Sequence, residues 1–415
     1  MFMRNLDIRI GSGQQTVLWL IASNIVKAIS QWGILVILVK FFSNTDVGYY
    51  NLGMALAAPV FSLSGMQLKS ILVVEPSGEK DNFLTYFLVR HLTAFLATLG
   101  LILYCAFFRE INWILVCVIV YKAVENLIDI LYGYMQKEDK MIWMSKSEIL
   151  KSISTALLCL MITILFKEIN ISQLSLVIVS LFFYFVNLVF TFRLLGKDYA
   201  SITLKDIWSI ILKGFPLGIS VFLSSYITNY PRLAIEGQMG PEMLAYFGSF
   251  TYVAIGIFEV VTPVQTFLRQ RLSKHYQRRE VGAFKSKVNK TIIGVLLLGF
   301  LYYVVFFVLG SFLIKLLFND SYNQYASVLY LLIGGQMLSS MSGVYSTAVL
   351  SFNVYTKQAF ISAIVLVVVI LLSNRLIVTL GFIGAGIIHV IAAALLLFFY
   401  GFIYYRKLCL WENSK

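Results

Sequence analysis

Several long apolar stretches of this chain carry charged and amide side chains at helical spacing. In the first, Asn24, Lys27 and Gln31 fall at i, i+3 and i+7, one face of a helix. In another, Lys122, Glu125, Asn126 and Asp129 fall at i, i+3, i+4 and i+7. A charge at the centre of a hydrocarbon layer costs at least about 2.5–3.5 kcal/mol, so such residues face a bundle interior or a wet cavity. Lys27 lies too deep to reach an interface and reads as a cavity-facing cation or as half of a packing pair. Lys122 can neutralise Glu125, or Asn126 can bridge them, which leaves Asp129 as the odd charge, open to water or protonated. Further along, Asn229, Tyr230, Pro231, Arg232 and Glu236 close an apolar block, with Arg232 either paired to Glu236 or set at the mouth of a cavity. Glu259 sits mid-block with Pro263 four residues on, so its carbonyl loses a helical donor. A carboxylate beside a free carbonyl is a site for a proton or sodium ion, or a protonated structural Glu. His389 and the Gln336, Ser340, Gly343 face are weaker signals of the same kind.

Other chemistries are missing from the residues. There is no P-loop, no HExxH and no nucleophile elbow, so no catalytic residue, cofactor or metal is expected. The cysteines, Cys105, Cys117, Cys159 and Cys409, lie in or beside apolar runs without metal-ligand spacing.

The elements that must position these side chains follow from composition. Of 415 residues 59% are hydrophobic and 13% charged, against about 25% charged in soluble domains. The apolar residues form blocks of about 20 residues or more, each able to cross a core of roughly 30 Å. About twelve spans result: 17–42, 48–73, 83–107, 112–136, 147–166, 172–194, 208–231, 243–267, 291–318, 326–350, 358–378 and 383–405. The first exceeds a signal-peptide core and is expected to be retained. An even number puts both termini on one side, which collects most of the Lys and Arg; the other side has Lys40, Arg109, Lys167, Arg232, Lys315 and Arg375. The positive-inside rule then places both termini in the cytoplasm. A net charge of +13 is thereby explained by topology, and no nucleic acid is expected as a partner. The basic stretch 269–290 is a topology determinant or a surface for anionic headgroups.

A weak repeat relates spans one and two to spans seven and eight. Val47-Gly48-Tyr49-Tyr50 meets Leu244-Ala245-Tyr246-Phe247, and Met66-Gln67 meets Val264-Gln265. With six spans between copies the halves are parallel, related by an axis along the membrane normal. The expected fold is an all-α membrane protein of two six-helix lobes, 1–205 and 206–415, around a central cavity.

The chain resembles the polysaccharide transporters of the multidrug, oligosaccharidyl-lipid and polysaccharide exporter superfamily, in particular bacterial O-antigen flippases. The resemblance rests on the twelve-span architecture and on Asn24-Ile25-Val26-Lys27 with Gln31-Trp32, the turn from Ser43 to Tyr50, Met66-Gln67-Leu68-Lys69 and Gly214-Phe215-Pro216-Leu217. It implies a multi-pass protein of the bacterial inner membrane that turns an undecaprenyl-pyrophosphate-linked oligosaccharide from the cytoplasmic to the periplasmic leaflet, coupled to a proton or sodium gradient. On that reading Lys27, Lys122 and Arg232 meet the diphosphate. Asn24, Gln31, Asn126, Asn187, Tyr226 and Gln336 bond sugar hydroxyls, and Glu259, Asp129 and Glu125 carry the coupling ion. Membrane lipids and a polysaccharide polymerase are the expected partners. A drug or small-solute exporter of the same superfamily would share the architecture, and an O-antigen polymerase would need larger external loops than these.

Overall fold

The computed structural model describes residues 12–75, 82–109, 112–195, 202–352 and 356–413, and no strand occurs among them. The first half runs α1 (Ser12–Phe41), α2 (Asn44–Gly65), α3 (Leu68–Val74), α4 (Phe83–Phe108), α5 (Trp113–Lys137), α6 (Met141–Phe166) and α7 (Ile169–Leu195). The second runs α8 (Leu204–Gly256), a 3-10 turn over Ile257–Val260, α9 (Val261–Gln277), α10 (Val281–Leu317), α11 (Ala326–Ser351), α12 (Thr356–Leu380) and α13 (Phe382–Glu412).

Among the described residues 10 helical segments are long and apolar enough to cross a membrane, and two features bring the architecture to about twelve crossings. Helix α5 carries Lys122, Glu125 and Asp129 inside its length, yet it packs among α2, α4 and α7 like its neighbours. Helix α8, 53 residues long, is two crossings joined at Gly240, whose φ of 84° glycine adopts without strain, followed by Pro241 opening the next helix. The sequence reading had put residues 232–242 in an external connection. The turn is confined to Gly240, so Arg232 and Glu236 lie inside the helix rather than beyond it. Span two is likewise broken: Met66 and Gln67, both left-handed at φ 47° and 54°, separate α2 from α3.

Each half forms a lobe with the same internal pairings. In the first, α1 packs on α6, α2 and α4 on α5, and α5 and α6 on α7. In the second, α8 packs on α12, α8, α9 and α10 on α11, and α11 and α12 on α13. The lobes meet where α2 lies along α8: the last turn of α2 abuts Gly214 and Gly218 through Met66 and Leu63, and its beginning meets α8 at the end of the bundle remote from Ser12 and Glu412. There Asn51 and Gly248, equivalent positions in the sequence repeat, touch each other directly, as residues on a two-fold axis would. The same seam is tied by Asn44 Nδ2 donating to the Tyr246 hydroxyl (2.9 Å), by Asn319 Nδ2 donating to the Val39 carbonyl (3.1 Å), and by an ion pair between Arg109 and Glu236.

Small residues make this closure possible. A Cβ at Gly48 would stand 1.9 Å from the backbone oxygen of Pro241, which cannot yield as a flexible side chain would. Gly48→Ala is expected to cost about 1–3 kcal/mol of packing at the seam and to part the lobes there. Labelling of an Asn44→Cys reporter by a membrane-impermeant maleimide should rise in the Gly48→Ala background; equal labelling would show that the seam does not depend on this contact.

A cationic cavity between the lobes

Below the seam the lobes enclose a cavity in two connected parts. The inner part, about 250 Å3, is lined by Gln31, Trp32, Lys122, Arg232, Tyr252 and Glu259 among others. The outer part, about 510 Å3, extends toward the terminus-bearing face past Lys27, Lys69, Arg90, Glu125, Asn126 and Asp129. Gln31 and Lys122 line both.

Two cations of the inner part have no carboxylate partner among the described residues. Lys122 Nζ lies 5.7 Å from the Tyr121 ring centroid and pairs with no acid. Arg232 is 6% exposed; it donates from Nη1 to Asn229 Oδ1 at 3.3 Å, lies over the Tyr252 ring at 5.6 Å, and leaves Nε without a partner. A buried guanidinium without a counterion is costly, since the desolvation penalty is several kcal/mol per ion. The neighbouring carboxylate of Glu259 is exposed to the same space and makes no ion pair among the described residues. It lies in the 3-10 turn between α8 and α9, where the α-helical bonding pattern lapses one turn before Pro263.

The outer part is different, because its charges are paired. Lys27 binds Glu148 at 3.0 Å, and Lys151 lies between Glu125 (2.8 Å) and Glu148 (2.9 Å), so α1, α5 and α6 are joined by alternating charge. Asp129 is gripped by Lys69 at 3.0 Å and Arg90 at 3.2 Å. Arg90 also donates to Asn126 Oδ1, while Asn126 Nδ2 donates to the Phe61 carbonyl near the broken end of α2.

No family model matches the chain. It is 23% identical over 401 residues to the capsular polysaccharide biosynthesis protein CapF of Staphylococcus aureus, covering 94% of this chain and 98% of that one. The solved structure of the lipid II flippase MurJ, in an inward closed conformation, matches with a TM-score of 0.74 at 15% identity, over 94% of this chain and 87% of that one. A MOP superfamily transporter from Pyrococcus furiosus, whose description reports a reversed polarity of its binding pocket, matches at 0.66 with 12% identity over 96% of both chains. The Vibrio cholerae MATE transporter VcmN matches at 0.68 with 10% identity over 97% of both. The chain has the MOP superfamily transporter fold.

Within this MOP fold the residues singled out by sequence divide into three groups. Lys27, Gln31, Lys122, Glu125, Asn126, Asp129, Arg232 and Glu259 all line the cavity between the lobes. Their pairings differ from the local ones read off helical spacing. Glu125 binds Lys151 rather than Lys122, Asp129 is doubly paired rather than odd, and Glu236 bonds Arg109 across the seam rather than Arg232. Asn24 is exposed one turn nearer the chain's beginning and lines neither part of the cavity.

Asn187 is a correction: it is fully buried inside the first lobe, accepting from Ser147 Oγ and donating to the Phe183 carbonyl, so its amide is used for packing. Tyr226 stacks between Phe222 and Tyr230 on α8. Glu148 and Lys151 were missed because they stand at the start of span five, 147–166, where a charge reads as a flanking residue. The helix begins at Met141, which carries both residues inward, to 10% and 5% side-chain exposure. Arg90, read as a flanking cation, is 1% exposed.

Proposed function

We propose that this protein is a flippase that moves an undecaprenyl-pyrophosphate-linked oligosaccharide of the O-antigen type from the cytoplasmic to the periplasmic leaflet of a bacterial inner membrane, with both termini in the cytoplasm. One observation carries the reading: Lys122 and Arg232 line the inner cavity without forming an ion pair among the described residues, two cations facing the single carboxylate of Glu259, an arrangement that suits an anion. A diphosphate answers that need, and the amides of Gln31 and Asn126 suit sugar hydroxyls. The fold of the lipid II flippase and the relative named for capsular polysaccharide both support a lipid-linked glycan. The lipid tail stays in the bilayer while the head occupies the cavity.

Transport on this reading is alternating access by lobes 1–205 and 206–415, which rock about the α2–α8 contact. The seam of Asn44, Arg109 and Asn319 is the periplasmic gate. Glu259 is the carboxylate assigned to a proton or sodium ion. Glu125 and Asp129, expected to share that task, are each neutralised by fixed cations, and we assign them to holding the cavity wall. Lys27 reaches the diphosphate by exchanging Glu148 for it. A polysaccharide polymerase is the partner that would consume the product.

The test is complementation of a deletion strain. Wild-type protein should clear lipid-linked repeat units from the cytoplasmic leaflet; Lys122→Gln, equally expressed, should let them accumulate. Normal translocation with altered polysaccharide chain length would replace the flippase by a polymerase. Normal translocation with raised sensitivity to cationic drugs would replace it by an exporter.

A further inference from the structure

The cavity wall does not stop at the cavity. Tyr252, Gly256 and Glu259 line the inner part from α8 and the 3-10 turn, and the same helical phase continues down α9. Steps of three and four residues lead from Glu259 to exposed Phe267, then Arg271 and Lys274. The opposite face of α9, with Leu268 and Leu272 buried, packs on α10 and α11. Tyr276 is wedged against Phe352 and Trp411, so the helix is a fixed wall and not a loose tail. Helix α1 touches the 3-10 turn above, and no first-lobe helix packs extensively on α9 below it.

The basic residues of this face are unneutralised. Arg271 lies over the Phe267 ring at 4.3 Å, and neither it nor Lys274 makes an ion pair among the described residues. The nearby acids are engaged elsewhere, Glu280 with His275 and Glu412 with Lys285. The corresponding stretch of the first lobe, α3, has one cation, Lys69, and it is held by Asp129. Repetition of the lobes therefore does not account for the cluster. A topology rule requires cations on this side but not on one helix face in phase with the cavity.

We infer that the exposed face of α9 is a landing site for the phosphorylated headgroup of a lipid in the leaflet at the terminus-bearing end, from which the head passes to Lys122 and Arg232. Arginine forks match phosphate oxygens in pairs. The inference rests on the flippase reading and adds a site outside the cavity.

The experiment uses full-length protein and a variant that moves charge without removing it: Arg271→Gln and Lys274→Gln combined with Ser286→Lys and Asn289→Lys, both new lysines at exposed positions of α10. Retention of polyprenyl diphosphate, with phosphatidylcholine as the neutral control and inorganic pyrophosphate as competitor, is read by native mass spectrometry. Two phosphate contacts near a surface are worth about tenfold or more, so retention should fall by about that factor. Transport at low substrate should slow while the saturating rate holds. Equal retention by the relocated variant overturns the inference, as does displacement of the lipid by inorganic pyrophosphate, or equal retention of phosphatidylcholine. The cavity reading fails separately: Lys122→Gln would then transport at the wild-type saturating rate whatever the α9 variant does.

Discussion

Arg232→Gln should abolish transport while leaving the protein as stable as before, or more so. The two effects have one cause. In the resting protein the Arg232 charge is buried with an amide and a ring for company and no acid, so its removal relieves a desolvation cost. With a diphosphate present the same charge becomes half of a buried ion pair, and truncating such a partner costs about 2–5 kcal/mol, at least about thirtyfold in affinity. Thermal unfolding in detergent should therefore show an unchanged or raised Tm, and flipping of a labelled lipid-linked glycan in proteoliposomes should fall by at least that factor. A residue needed for packing alone would lower both. If Arg232→Gln lowered the Tm and kept the transport rate, the anion would have to be held elsewhere.

The second large effect is expected at Lys151, and its sign is opposite. This ammonium is 5% exposed and bonds both Glu125 and Glu148, so Lys151→Met strands Glu125 inside the first lobe and leaves Glu148 with Lys27 alone. Breaking a buried pair by removing one partner costs about 3–5 kcal/mol, a large fraction of the 5–15 kcal/mol that holds a typical fold together. Little folded protein should be recovered on size-exclusion chromatography. Adding Glu125→Gln to Lys151→Met leaves Glu148 with Lys27 and should restore much of the monodisperse yield. Without such rescue, Lys151 would be needed for something besides charge balance.

The fold was readable from the sequence because the bilayer imposes it. Apolar blocks of membrane-spanning length set the number of crossings, and that count survives errors of several residues. Helix ends were less legible. The tight joint at Gly240 looks like any Gly-Pro turn, and nothing in the sequence says that the helix runs unbroken up to it past Pro231. The left-handed pair Met66-Gln67 has no glycine to announce it.

In the candidate site, helical spacing brought Lys27 with Gln31, and Lys122 with Asn126 and Asp129, to the cavity, whereas Asn24, read onto the same face as Lys27, lies outside it. The same spacing assigned the wrong partners, because spacing along one helix exposes only local pairs, whereas the observed ones join α5 to α3, α4 and α6. Arg90 and Lys151 were misread for a related reason. Near the end of a span a cation on the lipid face and a cation on the interior face have the same sequence environment.

The pattern of bonds around α5 also constrains how the protein is made. Helix α5 carries Lys122, Glu125 and Asp129 inside its length, and each charge adds about 2.5–3.5 kcal/mol against entering lipid alone. The partners of Asp129, Lys69 and Arg90, have already left the ribosome when α5 emerges, but the partner of Glu125 is on α6, still to be synthesised. The pairing of Glu125 with Lys151 is therefore expected to favour α5 and α6 leaving the translocon together as a hairpin.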